Sequence, residues 1–169
     1  ECLVGSEMCI RDRDLGLTQE QLCDGICEPM TLSRLENGKQ TPSRNRINAL
    51  LQRLCLPDDR YFALLSKNEL EMEALQKEIV ACNANHRVEE GFETLKKFEQ
   101  IADHDDQIAQ QFILRSKVLL GRLDQRYTPQ EQIDLLMQAI RLTVPRFNLD
   151  EIERFFYSTD EIKIINQIG

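Results

Sequence analysis

Leu17 to Ser43, LTQEQLCDGICEPMTLSRLENGKQTPS, is the stretch whose reading decides the fold. Thr18 and Gln21 have the S/T-x-x-E/Q spacing of a capping box, in which the hydroxyl accepts an orphan backbone N–H and the side chain three residues on answers it. Pro29 then stands at a first helical position, where its missing N–H is no loss, and Asn37-Gly38 supplies a stop. Two short helices joined by the turn CDGICEP follow. At about 100° per residue, Leu32 and Leu35 share one side of the second helix, while Met30, Ser33 and Arg34 point roughly opposite, with Thr31 at the flank.

Cys23 and Cys27 in the same stretch offer a competing reading. Their i, i+4 spacing puts both sulfurs on one helical face, which suits metal ligation. A structural zinc site needs a second pair, and the sequence has no other close cysteine pair; its two histidines, His86 and His104, are remote. The six cysteines (2, 9, 23, 27, 55, 82) also lack the dense spacing of a disulfide-stapled secreted domain. Cys23 and Cys27 are therefore read as small core thiols, with no metal and no cofactor.

Outside this stretch the whole chain is punctuated for helices. Thr128 with Glu131 and Ser158 with Glu161 repeat the capping box, and Thr41-Pro42 predicts another start, followed by the apolar face Ile47, Leu50, Leu51 and Leu54 and a stop at Leu56-Pro57. Later helices are expected at 58–66, 69–84, 87–102, 106–122, 129–142, 149–156 and from 159 onward. Small residues at Ala84, Gly91, Gly121 and Ala139 allow close helix approach. Short breaks such as NANH and DHDD imply paired neighbours, and pair starts near 69 and 106 lie about 37 residues apart, close to a helical-repeat period. The expected class is all-α. The last helix leaves Ile162, Ile165 and Ile168 as an apolar stripe in need of a partner, so the chain is read as a fragment.

The chain has 169 residues, 41% of them hydrophobic and 30% charged. It has no run of 18 apolar residues and no signal-like leader, which places it in the cytoplasm and away from membranes. The net charge of -8 excludes a protein that coats nucleic acid indiscriminately. The charge is uneven, however. From Glu28 to Arg53 five cations face two anions, whereas from Asp58 onward 14 cations face 21 anions. A local basic patch can meet phosphate while an acidic body repels it. Arg34 on the outer face of the second helix suits a bidentate contact to guanine, Met30 and Thr31 suit a thymine methyl, and Ser33 suits base or phosphate; Gln19, Lys39 and Arg44 are placed to hold the backbone. No catalytic constellation is found, so the chain is not read as an enzyme.

At LGLTQEQLCDGIC and TLSRLENGKQTPS the sequence resembles the lambda-repressor (XRE) class of helix-turn-helix proteins. More narrowly, it is similar to the peptide-pheromone-responsive regulators of Gram-positive bacteria, of the Rgg and PlcR kind. The resemblance implies a homodimeric transcriptional regulator on a palindromic double-stranded operator, with Gln19, Met30, Thr31, Ser33 and Arg34 at DNA-facing positions. It also implies a tetratricopeptide-like array that takes a short signalling peptide, for which Asn83, Gln111 and Arg115 are the candidate groove residues. The division expected is a non-native leader over 1–13, a helix-turn-helix domain over 14–57, a linker helix over 58–68 and a truncated repeat domain over 69–169. One departure stands out: where the family pairs an arginine with the glutamate of LENG, this chain has Asp12 opposite Glu36. Two other readings fit the same residues, a phage-type or antitoxin-like repressor that needs no peptide, and a helical-repeat scaffold for protein binding.

Overall fold

A computed structural model describes residues 14–37, 39–40, 43–56 and 67–169. Every regular element among them is helical: α1 (Gln19–Cys23), α2 (Pro29–Glu36), α3 (Arg44–Arg53), α4 (Lys67–Ala84), α5 (Val88–Ile101), α6 (Gln107–Leu123), α7 (Pro129–Thr143), a 3-10 segment (Leu149–Arg154) and α8 (Thr159–Ile168). From α4 onward the elements lie within about two residues of the sequence expectation. Asp12, Gly38, Thr41, Pro42, Pro57 and the helix expected at 58–66 fall outside the described residues. α3 itself begins at Arg44, with Ser43 in the N-cap position, so proline is not its first helical residue.

Contacts divide the chain into two units, Glu1–Leu64 with Thr143–Lys163, and Leu65–Leu142 with Ile164–Gly169. In the first unit, α1 packs on α2 and α3. Leu22, Ile26, Leu32, Leu35, Ile47, Leu50, Leu51 and Leu54 are all buried. These include both leucines of the predicted inner face of α2 and all four apolar positions predicted for α3. Residues 143–163, expected among the later helices, belong to this unit, and the most buried of the polar contacts that tie them to it is at Arg53. Arg53, only 3% exposed, donates from Nη1 to the carbonyls of Leu22 (3.0 Å) and Asp24 (2.7 Å) and from Nη2 to the carbonyl of Thr143 (2.8 Å). Its charge is balanced by Glu161, 1% exposed, at 2.8 Å. The other Glu161 oxygen accepts the backbone N–H of Ser158 at 2.6 Å, so one carboxylate closes the capping box of α8 and neutralises the buried guanidinium.

The second unit is built on apolar contact. α4 packs along α5, and α6 meets both. Met72, Ile79, Leu95, Phe98, Ala102, Ala109, Ile113 and Leu120 make its core, with the rings of Phe98 and Phe112 tilted at 5.2 Å between centroids. Gly91 lets α5 approach closely: a Cβ there would lie 2.6 Å from Leu120 Cδ2. Gly121 makes room for the ring of Tyr127 rather than for another helix. Ala139 is buried, whereas Ala84 is exposed. In α8 the fully buried isoleucine is Ile164; Ile162 is exposed, and Ile165 and Ile168 are half-buried.

Three helix ends share a solution that the sequence hides. After α3, α4 and α6 the residues Cys55, His86 and Gln125 adopt left-handed φ of 54°, 59° and 56°. In each case the next N–H reaches five residues back, Leu56 to Leu51, Arg87 to Cys82 and Arg126 to Gly121, all at 2.9 Å. These are Schellman closures without glycine.

Candidate nucleic-acid interface

α2 is placed by its leucines. Because Leu32 and Leu35 are buried, the opposite face is turned outward: Met30 is 66% exposed, Arg34 is exposed, and Thr31 and Ser33 are half-buried. Among the described residues Arg34 makes no ion pair and no side-chain hydrogen bond, while its carbonyl accepts the N–H of Lys39 at 2.8 Å. The end of α2 is further held by the Asn37 amide donating to the Ser33 carbonyl at 2.6 Å. Four of the predicted groove-facing residues thus share one accessible surface, and Lys39 follows it, also exposed.

The remaining backbone-holding candidates are less free. Gln19 donates from Nε2 to Glu36 Oε2 at 2.5 Å, tying the start of α1 to the end of α2. Glu36 therefore has a partner other than the family's arginine. Arg44 is half-buried in the first turn of α3 and is engaged within the chain.

The turn between α1 and α2 is tightly built. Gly25 has φ of +71°, and a Cβ there would stand 2.2 Å from the Thr143 carbonyl oxygen. Arg53 holds the carbonyls of Leu22 and Asp24 on either side of Cys23. The N–H groups of Ile26 (2.9 Å) and Cys27 (3.0 Å) both reach the Cys23 carbonyl. Cys23 is buried and Cys27 half-buried. The Cys23 thiol donates to the Glu20 carbonyl at 3.8 Å, and interaction with the Cys27 side chain, with burial adding to the rise, pushes it far above its ordinary range. The same interaction lowers Cys27, against burial and with help from Arg46 and Arg53. In the sequence Arg46 and Arg53 read only as positive charge, and nothing local marks the contacts that Arg53 makes.

In the second unit Asn83 and Arg115 are half-buried, on α4 and α6. Gln111 is 4% exposed, and its amide donates to the Ala139 carbonyl at 3.1 Å, so it fastens α6 to α7 instead of facing a groove. One cluster of potential metal ligands occurs among the described residues, Glu78, Cys82 and Glu90. Arg87 bridges both carboxylates, at 3.1 Å and 2.7 Å, so the trio is an ion-pair network. No helix among the described residues is long and apolar enough to cross a membrane.

Residues 10–54 match the family model described as Helix-turn-helix. Neither the curated proteins nor the solved structures contain a match to the chain. The match spans α1, α2 and all of α3 and supports an XRE-type helix-turn-helix over this stretch, which suggests a sequence-specific DNA-binding regulator.

Proposed function

We propose that the chain is a sequence-specific transcriptional regulator that inserts α2 into the major groove. The observation that carries this is the polarity of α2 itself, with Leu32 and Leu35 buried and Met30 and Arg34 outward. A helix presented in this way is held rigid from behind and offers a guanidinium able to pair with guanine O6 and N7. As a homodimer it would read two half-sites about 34 Å apart on a palindromic operator. In this reading Arg34 specifies, while Lys39 and Arg44 position. Gln19 contributes by keeping α1 and α2 in register as well as by its place near the DNA backbone.

Operator fragments selected by the protein from a random DNA pool supply the test. Arg34→Ala should cost about 1 to 3 kcal/mol of specific binding and relax preference at one base pair. Equal weakening on every sequence would make Arg34 a phosphate contact. Lys39→Ala should weaken specific and non-specific binding alike and lower the salt slope by about one unit; an unchanged slope would remove Lys39 from the interface.

The helices after Lys67 form, in this proposal, a tetratricopeptide-like module that takes a short peptide and shifts operator affinity. Its support is the helix pairing together with the resemblance at the helix-turn-helix. To move a two-state balance from 1:99 to 99:1, a peptide must prefer one state about 10⁴-fold. The burial of Gln111 takes one candidate groove contact away and favours the reading of a repressor that needs no peptide. Titration of protein–operator complexes with peptides from the same genomic neighbourhood separates the two, since only the first predicts a response.

A further inference from the structure

We propose that the helix-turn-helix unit carries a binding site for a small zwitterion with an apolar side chain, a free α-amino acid, in the cavity between α1 and residues 143–156. The cavity measures about 330 Å³, and all of its lining residues belong to the first unit. Sites for small molecules run from about 300 to 1,000 Å³, so this one suits a ligand at the small end.

Arg53 supplies the observation that points to a ligand. It forms part of the cavity wall and is only 3% exposed. A guanidinium carries five N–H donors in a fixed fork. Four of them are taken, two at Nη1 by the carbonyls of Leu22 and Asp24, and two at Nη2 by the Thr143 carbonyl and Glu161. The last, at Nε, is buried and has no partner among the described residues. A buried donor without an acceptor is costly, and an entering carboxylate oxygen removes that cost. Because Glu161 already balances the Arg53 charge, the wall here calls for an acceptor more than for a net anion.

The rest of the wall carries both signs of charge. Glu20, which makes no ion pair among the described residues, and Asp24 line it from α1 and the turn; Arg146 and Arg154 line it from the later segment. Arg146 pairs with Asp24 at 3.4 Å and Arg154 with Glu151 at 2.9 Å, but both guanidiniums are well exposed, so these pairs are weak and open to exchange. Phe155 and Phe156 add ring surface, and Phe156 is 45% exposed. A carboxylate on Arg53 Nε and a neighbouring guanidinium, an ammonium on Glu20 and an apolar group against the rings together satisfy each kind of group present. A plain anion leaves Glu20 facing it, and a plain cation leaves Arg53 Nε unmet. A ligand so held touches α1 and residues 143–156 at once and strengthens their attachment. Any change in operator affinity that follows rests on the reading of α2 given above.

Calorimetric titration of the full chain with L-phenylalanine and with L-leucine tests the site. At least one should bind at one molecule per chain. Its deaminated acid and its decarboxylated amine should each bind at least about tenfold more weakly, since each lacks one charged hydrogen-bonding group. Glu20→Gln and Arg154→Gln alter exposed side chains and should each weaken the amino acid about tenfold, while Glu20→Gln leaves affinity for the deaminated acid unchanged. With the amino acid at about ten times its Kd, hydrogen exchange of amides in residues 143–156 should slow by about tenfold. No binding of either amino acid, equal affinity for the deaminated acid, or binding indifferent to both variants would overturn the proposal. If the chain selects no DNA, the regulator reading fails, and the titration and exchange results still decide the site.

Discussion

The two units are held together by different physics. The second rests on a large apolar core around Phe98, which many neighbours share. The first has apolar leucines too, but its most buried polar contact sets one guanidinium among the carbonyls of Leu22, Asp24 and Thr143 and the Glu161 carboxylate, so that it ties residues 143–161 to the helix-turn-helix beside the more exposed contacts of Arg146 and Thr159. An apolar core degrades gradually as volume is removed, whereas a buried charge network fails abruptly when one member is lost, because the others are left desolvated and unpaired.

The largest effects test this contrast directly. Phe98→Ala should cost about 3 to 5 kcal/mol through the cavity it leaves. Glu161→Leu, though it adds apolar volume, should cost a similar 3 to 5 kcal/mol, because Arg53 would remain charged and buried. The double change Arg53→Met with Glu161→Leu sharpens the point. Replacing a simple buried pair by apolar residues is often neutral or stabilising, but here the carbonyls of Leu22, Asp24 and Thr143 would lose their donor, at about 1 to 3 kcal/mol for each left unsatisfied. Urea unfolding should find the double variant still well below wild type; full recovery would reduce Arg53 to a charge partner and dissolve the contrast.

Next in size are two glycines, each at a close approach. Gly25→Ala should destabilise by at least about 2 kcal/mol, since its left-handed φ is strained for any L side chain and the added carbon meets the Thr143 backbone. Gly91→Ala meets a flexible end of Leu120 and should cost about 1 kcal/mol, with local repacking. If thermal unfolding ranks them the other way, the turn of the first unit has more slack than its hydrogen bonds imply.

Local signals in the sequence proved legible. All three capping boxes form: Thr18 with Gln21, Thr128 with Glu131, and Ser158 with Glu161. Each is a contact over three residues, and so is written in adjacent letters. The outward face of α2 was readable for the same reason, since burial of Leu32 and Leu35 fixes it. Arg53 and Glu161 are 108 residues apart, and each has an ordinary local role, a cation in a last helical turn and a capping glutamate. Nothing in either neighbourhood marks them as partners. Gln111 misled because α6 is buried on several sides, so a polar residue need not mark a solvent face. Tertiary contacts outvoted periodicity there.

The smallest effect concerns helix ends, where both units use the same device. Cys55 in the first unit and Gln125 in the second each hold a left-handed φ in a Schellman closure that glycine would adopt without a Cβ penalty. Against this stands the larger backbone entropy that glycine loses on folding, which trims the gain. Gln125→Gly should therefore stabilise by about 0.5 to 1 kcal/mol, and no hydrogen bond to its side chain is lost among the described residues. Cys55→Gly should give the same sign and size, since Cys55 is exposed and its sulfur fills no core position. Both gains are best read as shifts in the urea midpoint at constant slope. A loss in the first unit beside a gain in the second would mean that Cys55 contributes contacts of its own, and that the two units differ even in how they end their helices.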